Sequence, residues 1–205
     1  MKDRRVEIRG DLKKVEVEGL VHKEARRTDG QGPTIDTQLS IRVASRRDAE
    51  KLRGMFSRVS SETIYLRFHI PYPEVPEPTL AFMLDLDHPD KEFLLAVADE
   101  EIVGHAMYVR LRDGTEAEMA IVVEDGWQSK GVGKLLLLEL AKRAELRGIE
   151  HFSAEVLGEN RRMLALTAMF AETGYMIEDT LYHVRMPLRT LEPKAYAAQT
   201  LRRAA

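Results

Sequence analysis

The 205-residue chain has no cysteine. That excludes disulfides, thiolate metal sites and a cysteine nucleophile, and it suits the reducing cytoplasm, the expected location. The chain also lacks any run of about 18 apolar residues, and its basic start, MKDRRVEIRG, leads into no apolar stretch. Neither a membrane span nor a secretory leader is expected. Charge of one sign is missing too. With 31 basic and 34 acidic side chains the net charge is -3, so no bulk field draws the chain to nucleic acid or anionic lipid. The six histidines, at 22, 69, 88, 105, 151 and 183, show no metal-ligand spacing, and no metal is expected. What is present is a globular balance of 44% hydrophobic and 32% charged residues, sufficient for one domain with a sizeable core.

Along the chain, residues 1–36 differ from the rest and read as an N-terminal extension. VEIRG and KKVEVEGLV alternate apolar and charged residues as an edge strand pair does, with Gly10-Asp11 as the turn, and RRTDGQGPTID reads as a linker. Such a pair can join an exposed sheet edge on this chain or on a partner, which leaves a homodimer open. Residues 37–190 form the expected main domain and 191–205 a tail. LSIRVA is a strand candidate, and SRRDAEKLRGMFSRV puts Ala49, Leu52 and Phe56 on one helix face with Ser45 as N-cap. PYPEVPEPTL reads as a proline-rich loop. EFLLAVAD, EIVGHAMYVRL and TEAEMAIVV form an antiparallel meander that turns at Asp99 to Glu101 and at Asp113-Gly114. A helix is expected from about Gly131 to Arg147, stopped by Gly148. A strand at HFSAEVL, a helix from Asn160 to about Thr173 closed by Gly174, and a strand pair around YMIEDTLYHVRMPL complete the pattern.

The stretch WQSKGVGKLLLLEL sets two glycines, Gly131 and Gly133, between a strand and a greasy helix. The first N–H groups of a helix have no internal partner and sit at the positive end of its dipole, so such a junction is an anion site. A P-loop is excluded, because Gly133-Lys134 is followed by Leu135 and the upstream glycine is Gln128. The dinucleotide fingerprint is excluded by Leu136 and by the meander. The glycines alone are equally consistent with a helix start packed on the sheet.

What remains, Gln128-x-x-Gly131-x-Gly133, together with LGENRRMLALTAMFAETGY, resembles the GCN5-related N-acetyltransferase family over roughly residues 38 to 188. LSIRVASRRDAEKLRGMFSRVSSETIYLRF and AEMAIVV are similar to its protein lysine acetyltransferase domains that act on acyl-CoA synthetases. The resemblance implies an α/β (α+β) fold: a mixed, mostly antiparallel sheet, splayed between the strands near 118 and 156, with helices on both faces. It implies acetyl-CoA as cofactor and a protein lysine, such as one on an acyl-CoA synthetase, as acceptor. Cofactor contacts fall on Ile121, Val122 and Val123, on Gln128, Ser129, Lys130, Gly131, Val132, Gly133 and Lys134, and on Asn160. Lys130 and Lys134 are equally well surface lysines, and Asn160 is equally well a helix N-cap.

A lysine amine arrives as ammonium with a pKa of about 10.4, so a base must take a proton before attack. Alternation puts Glu116, Glu118, Ala120 and Val122 on one face of their strand, and a sheet centre is a costly place for a charge. The protein lysine acetyltransferase domains it resembles carry their glutamate within an AE-x-A segment, which maps onto Glu118, with Glu116 and Glu155 as second and third candidates; Glu118 is also open to being a strand-end glutamate paired with an arginine. Thr167 stands where many relatives carry a tyrosine acid, so no general acid is assigned. Tyr175 packs or binds cofactor, and Arg67 serves an ion pair or a substrate carboxylate. Two rival readings stay open: an acetyltransferase for a small amine or antibiotic, and a silent acyl-CoA-binding sensor.

Overall fold

The computed structural model describes residues 22–26, 36–112, 114–170, 176–178 and 180–190. Its strands are β1 (His22–Arg26), β2 (Asp36–Val43), β3 (Lys91–Ala98), β4 (Glu101–Arg110), β5 (Glu116–Val123), β6 (His151–Leu157), β7 (Met176–Glu178) and β8 (Leu181–Pro187). Its helices are α1 (Ala49–Arg58), α2 (Ser61–Phe68), α3 (Glu77–Met83), α4 (Val132–Glu145) and α5 (Arg161–Ala168). The strands make one sheet in the order β1-β2-β3-β4-β5-β6-β8-β7. Neighbours are antiparallel except β5 and β6, which are parallel. The fold is therefore the expected mixed, mostly antiparallel one.

Each face of the sheet has its own core. On one face Ala117 and Met119 of β5, Phe152, Ala154 and Val156 of β6, and Val184 and Met186 of β8 pack with Leu136, Leu137 and Leu140 of α4. On the other, Phe93, Leu95, Met107 and Val122 pack with Leu52, Met55 and Phe56 of α1 and with Leu80 and Met83 of α3. KEFLLAVA is apolar almost throughout because β3 is covered on both faces. Each leucine that α4 buries contributes about 1.5–3 kcal/mol, which fixes the helix and hence its first turn.

Local chemistry explains most boundaries. The β3–β4 hairpin turns on Asp99 (φ 47) and Glu100 (φ 67), the left-handed pair that a two-residue hairpin requires. Ser45 and Asp48 form a capping box before α1, and Asp48 is held to Arg42 of β2 by two bonds of 2.7 and 2.6 Å. Two expectations need correction. The proline-rich segment does not stay a loop: α3 begins at Glu77, because Pro78 in a first turn lacks only an N–H that has no partner there anyway. The helix after Asn160 ends at Ala168, short of Thr173. Gly174, Tyr175 and the strand pair expected within residues 1–21 lie outside the described residues. β1 was not expected as a strand at all; HKEAR pairs with β2 through main-chain bonds, which need no apolar side chain.

Candidate active site

The parallel pairing of β5 with β6 is brief. It runs from Glu116↔His151 to Glu118↔Ser153, after which the strands part. From Met119 to Val123, β5 keeps its ladder with β4 and has no partner on the β6 side among the described residues. The Glu124 N–H donates to the Val103 carbonyl at 2.9 Å, so the ladder turns the main chain of Val122 toward β4; that of Ile121 and the N–H of Val123 face the opening and are left for a ligand, while the Val123 carbonyl accepts from Gln128. Gly104 of β4 sits across from this stretch, and a Cβ there would stand 2.9 Å from the Val122 carbonyl. Only glycine lets the strands close up.

At the end of β5 the chain turns into α4 through Ser129 (φ 58) and Gly131 (φ 86), two left-handed residues separated by Lys130, the geometry that gathers N–H groups into anion-binding concavities. The N–H of Gln128 donates to the Asp125 carbonyl at 3.3 Å, and the next such bond is Leu135 N–H to the Gly131 carbonyl at 3.1 Å. Between them, the N–H groups of residues 129–133 have no main-chain acceptor among the described residues. Gln128 does not offer its side chain to this site; its amide nitrogen donates to Thr63 Oγ1 and to the Val123 carbonyl, both at 3.0 Å. Lys130 is exposed and lies over the Trp127 ring at 5.7 Å, whereas Lys134 is half-buried. Asn160 caps α5, its side-chain oxygen accepting the Met163 N–H at 3.1 Å.

On the open sheet face the strands line up a polar set. Glu116, Glu118, Ser153, Glu155, His183 and Arg185 border a hollow of about 400 Å³. Glu116 is held by Arg185 at 3.0 Å, and Glu155 stands 3.5 Å from His183. Glu118 has neither a hydrogen bond nor an ion pair within reach among the described residues, and it is exposed. The expectation that Glu118 bears a burial cost is corrected: it sits where the strands separate, at the rim and not the centre. Arg67 projects its charge onto it from α2; burial brings Arg67 down to about 10 while Glu118 opposes the shift. Behind Arg67, His105 is wholly buried, edge-on to Phe56 and Phe93, with neither ring nitrogen hydrogen-bonded among the described residues. Burial, with the Arg67 charge second, drives it down to about 3, so it stays neutral.

Thr167 is not placed to act as an acid. It is fully buried and donates back to the Met163 and Leu164 carbonyls, both at 3.1 Å. No cluster of three metal-ligating side chains occurs among the described residues. Sequence reasoning missed Ser60, Thr63 and Asp125, which meet beside Gln128 from segments more than 60 residues apart, and no pattern in either segment marks the pairing.

A strand that parts from its neighbour and then turns through free N–H groups into a helix is matched by sequence: residues 61–170, more than half the chain, fit the Acetyltransferase (GNAT) family. The chain belongs to the GNAT acetyltransferase family. Acetyltransferase Pat of Mycolicibacterium smegmatis is 32% identical over 123 residues, 57% of this chain but 35% of that protein, so the match spans about a third of its length. The GNAT domain of S. lividans PAT superposes with a TM-score of 0.68 at 29% identity, covering 81% of this chain and 96% of that domain. Spermidine N-acetyltransferase from Vibrio cholerae, solved with CoA and spermine, shares the fold at 15% identity, with a TM-score of 0.59 and coverage of 75% of this chain and 97% of that one. GNAT proteins use acetyl-CoA. The free N–H groups of residues 129–133 and the unpaired edge of β5 fit that cofactor's diphosphate and amide groups. No helix among the described residues is long and apolar enough to cross a membrane.

Proposed function

We propose that this chain transfers an acetyl group from acetyl-CoA to the side-chain amine of a protein lysine, with Glu118 as the base. The observation that carries the reading is the position of Glu118: the last paired residue of β5 before β6 departs, exposed, and without a hydrogen-bonding partner among the described residues. Glu116 and Glu155 share its face, but each has a basic partner. The likeness to Acetyltransferase Pat and to the S. lividans PAT domain supports a protein acceptor, and an acyl-CoA synthetase lysine is the first to test.

In this reading the N–H groups of residues 129–133 hold the diphosphate, and the main-chain donors of Ile121 and Val123 hold the acyl end at the opening. Lys130, Lys134 and Asn160 stand at the same end of the fold and complete the proposed contact set. When bound, acetyl-CoA supplies a thioester carbonyl that an amine can attack. Glu118 takes the proton of the entering ammonium, directly or through one water, so that the nitrogen lone pair becomes available. Arg67 keeps the rim from becoming purely anionic. Thr167, committed to its own helix, would not protonate the departing thiolate; that proton would come from water or from the attacking amine.

The test is thiol release from acetyl-CoA with a panel of small amines, antibiotics and lysine-bearing proteins. Release with a protein and not with the small amines supports the proposal. Release only with small amines would replace the acceptor class, and cofactor binding without release would make the chain a sensor.

A further inference from the structure

The loop that carries the free N–H groups has little apolar anchorage. Asp125, Gly126, Ser129, Lys130 and Gly131 are all exposed, and Trp127 is only half-buried. A row of donors left without acceptors does not hold such a shape by itself, so something else must fix it. Side-chain bonds to α2 do so. The Asp125 carboxylate accepts from the Ser60 N–H at 2.8 Å, from Ser60 Oγ at 2.7 Å and from Thr63 Oγ1 at 2.9 Å. Burial pushes Asp125 up, yet the hydrogen bonds from Ser60 and Thr63 outweigh it and hold the carboxyl below its ordinary range. Gln128, three residues on, donates to the same Thr63 oxygen at 3.0 Å and to the Val123 carbonyl at 3.0 Å.

Thr63 is the residue at which both halves meet. A hydroxyl has one proton and two lone pairs, so it can donate to Asp125 and accept from Gln128 at once. We infer that Thr63 is a positioning residue that holds the diphosphate loop in its binding shape through Asp125 and Gln128, so that acetyl-CoA affinity depends on α2 as well as on the loop. This rests on the reading of residues 129–133 as the diphosphate site. A ligand that meets a loop already ordered is spared the cost of ordering it, and loss of the clasp should therefore appear as weaker binding. The helix that ends this clasp also carries Arg67 toward Glu118, so the cofactor loop and the rim of the acceptor site are tied to one short rigid element.

Acetyl-CoA titration calorimetry on Thr63→Val, Thr63→Ser and Gln128→Met, with the melting temperature of each free protein, tests this. Thr63→Val keeps shape and removes both bonds; binding should weaken about tenfold while the free protein melts within a few degrees of the parent. Thr63→Ser should bind within about twofold of the parent, and the double variant Thr63→Val/Gln128→Met should lose less than the product of the single losses, because both break one shared bond. Parental affinity in Thr63→Val, or Thr63→Ser as weak as Thr63→Val, overturns the inference. Should Thr63→Val not fold, Gln128→Met on the exposed loop decides alone: weakened binding supports the clasp and parental affinity overturns it. Gly131→Val separates the two levels. If it binds normally the loop is not the diphosphate site, whereas if it fails to bind and Thr63→Val does not, the site stands and only the clasp falls.

Discussion

At Glu118 a carboxylate stands open beside two others that are engaged, and that contrast makes a prediction. Glu118→Gln should lower acetyl transfer by about a hundredfold to ten-thousandfold with acetyl-CoA affinity close to normal, since the change removes a base and not a cofactor contact. Raising pH toward the amine pKa of about 10 should restore part of the rate, because free amine then forms without help. Steady-state kinetics across pH on Glu118→Gln and Glu116→Gln check this, and a loss confined to Glu116→Gln would move the base. His105 carries a second prediction. Its pKa lies at about 3 when folded, against an ordinary 6.5, so the unfolded chain binds more protons between those values. Its contribution is fully present above about pH 6.5 and is lost as pH falls toward 3. His105→Met, which cannot be protonated, should flatten the decline in urea midpoint over that window; an unchanged slope would show that other groups cause it.

Gly131 and Gly133 belong to one motif but have different physical reasons, which only the elements around them reveal. Gly131 has φ 86 and caps α4 in the left-handed region, where a β-branched residue is strained. A Cβ on Gly133 would meet Leu166 and Val123 at 3.6 and 3.7 Å, ordinary contact distances. Gly133→Ala should therefore keep the free protein's melting temperature, and Gly131→Val should lower it. A ligand at a hundred times its dissociation constant stabilises by about 2.7 kcal/mol, so acetyl-CoA should raise the parent's melting point by several degrees. Gly131→Val should abolish that shift, and retention of it would remove the loop from the site. Strands and helices with clean periodicity, such as β5, β6 and α4, were legible in the sequence, because alternation and helical spacing record which side faces a core. The α2–loop clasp was not: Thr63 and Gln128 are far apart in sequence, and a bond between polar side chains leaves no periodic trace. Nor was the exposure of Glu118, which depends on where β6 leaves β5 and not on either strand's own pattern.

For the whole molecule, every proposed site residue lies beyond residues 1–36, so the extension can be tested apart from the site. β1 pairs with β2 over five residues, from His22↔Ser40 to Arg26↔Asp36. Deleting residues 1–36 removes that strand and leaves the β2 ladder without its partner, and an uncovered edge is a template for another chain. The truncated protein should keep the acetyl-CoA melting shift, because the opening between β5 and β6 and the loop before α4 are built without β1. It should also self-associate more readily than the full chain, as light scattering over a range of concentrations would show. A truncated protein that stays monomeric at high concentration means the β2 edge is protected by something other than β1. Loss of the acetyl-CoA shift in a truncated chain that still melts cooperatively would mean the extension helps build the site, and the proposed boundary at residue 37 would have to move toward the N-terminus.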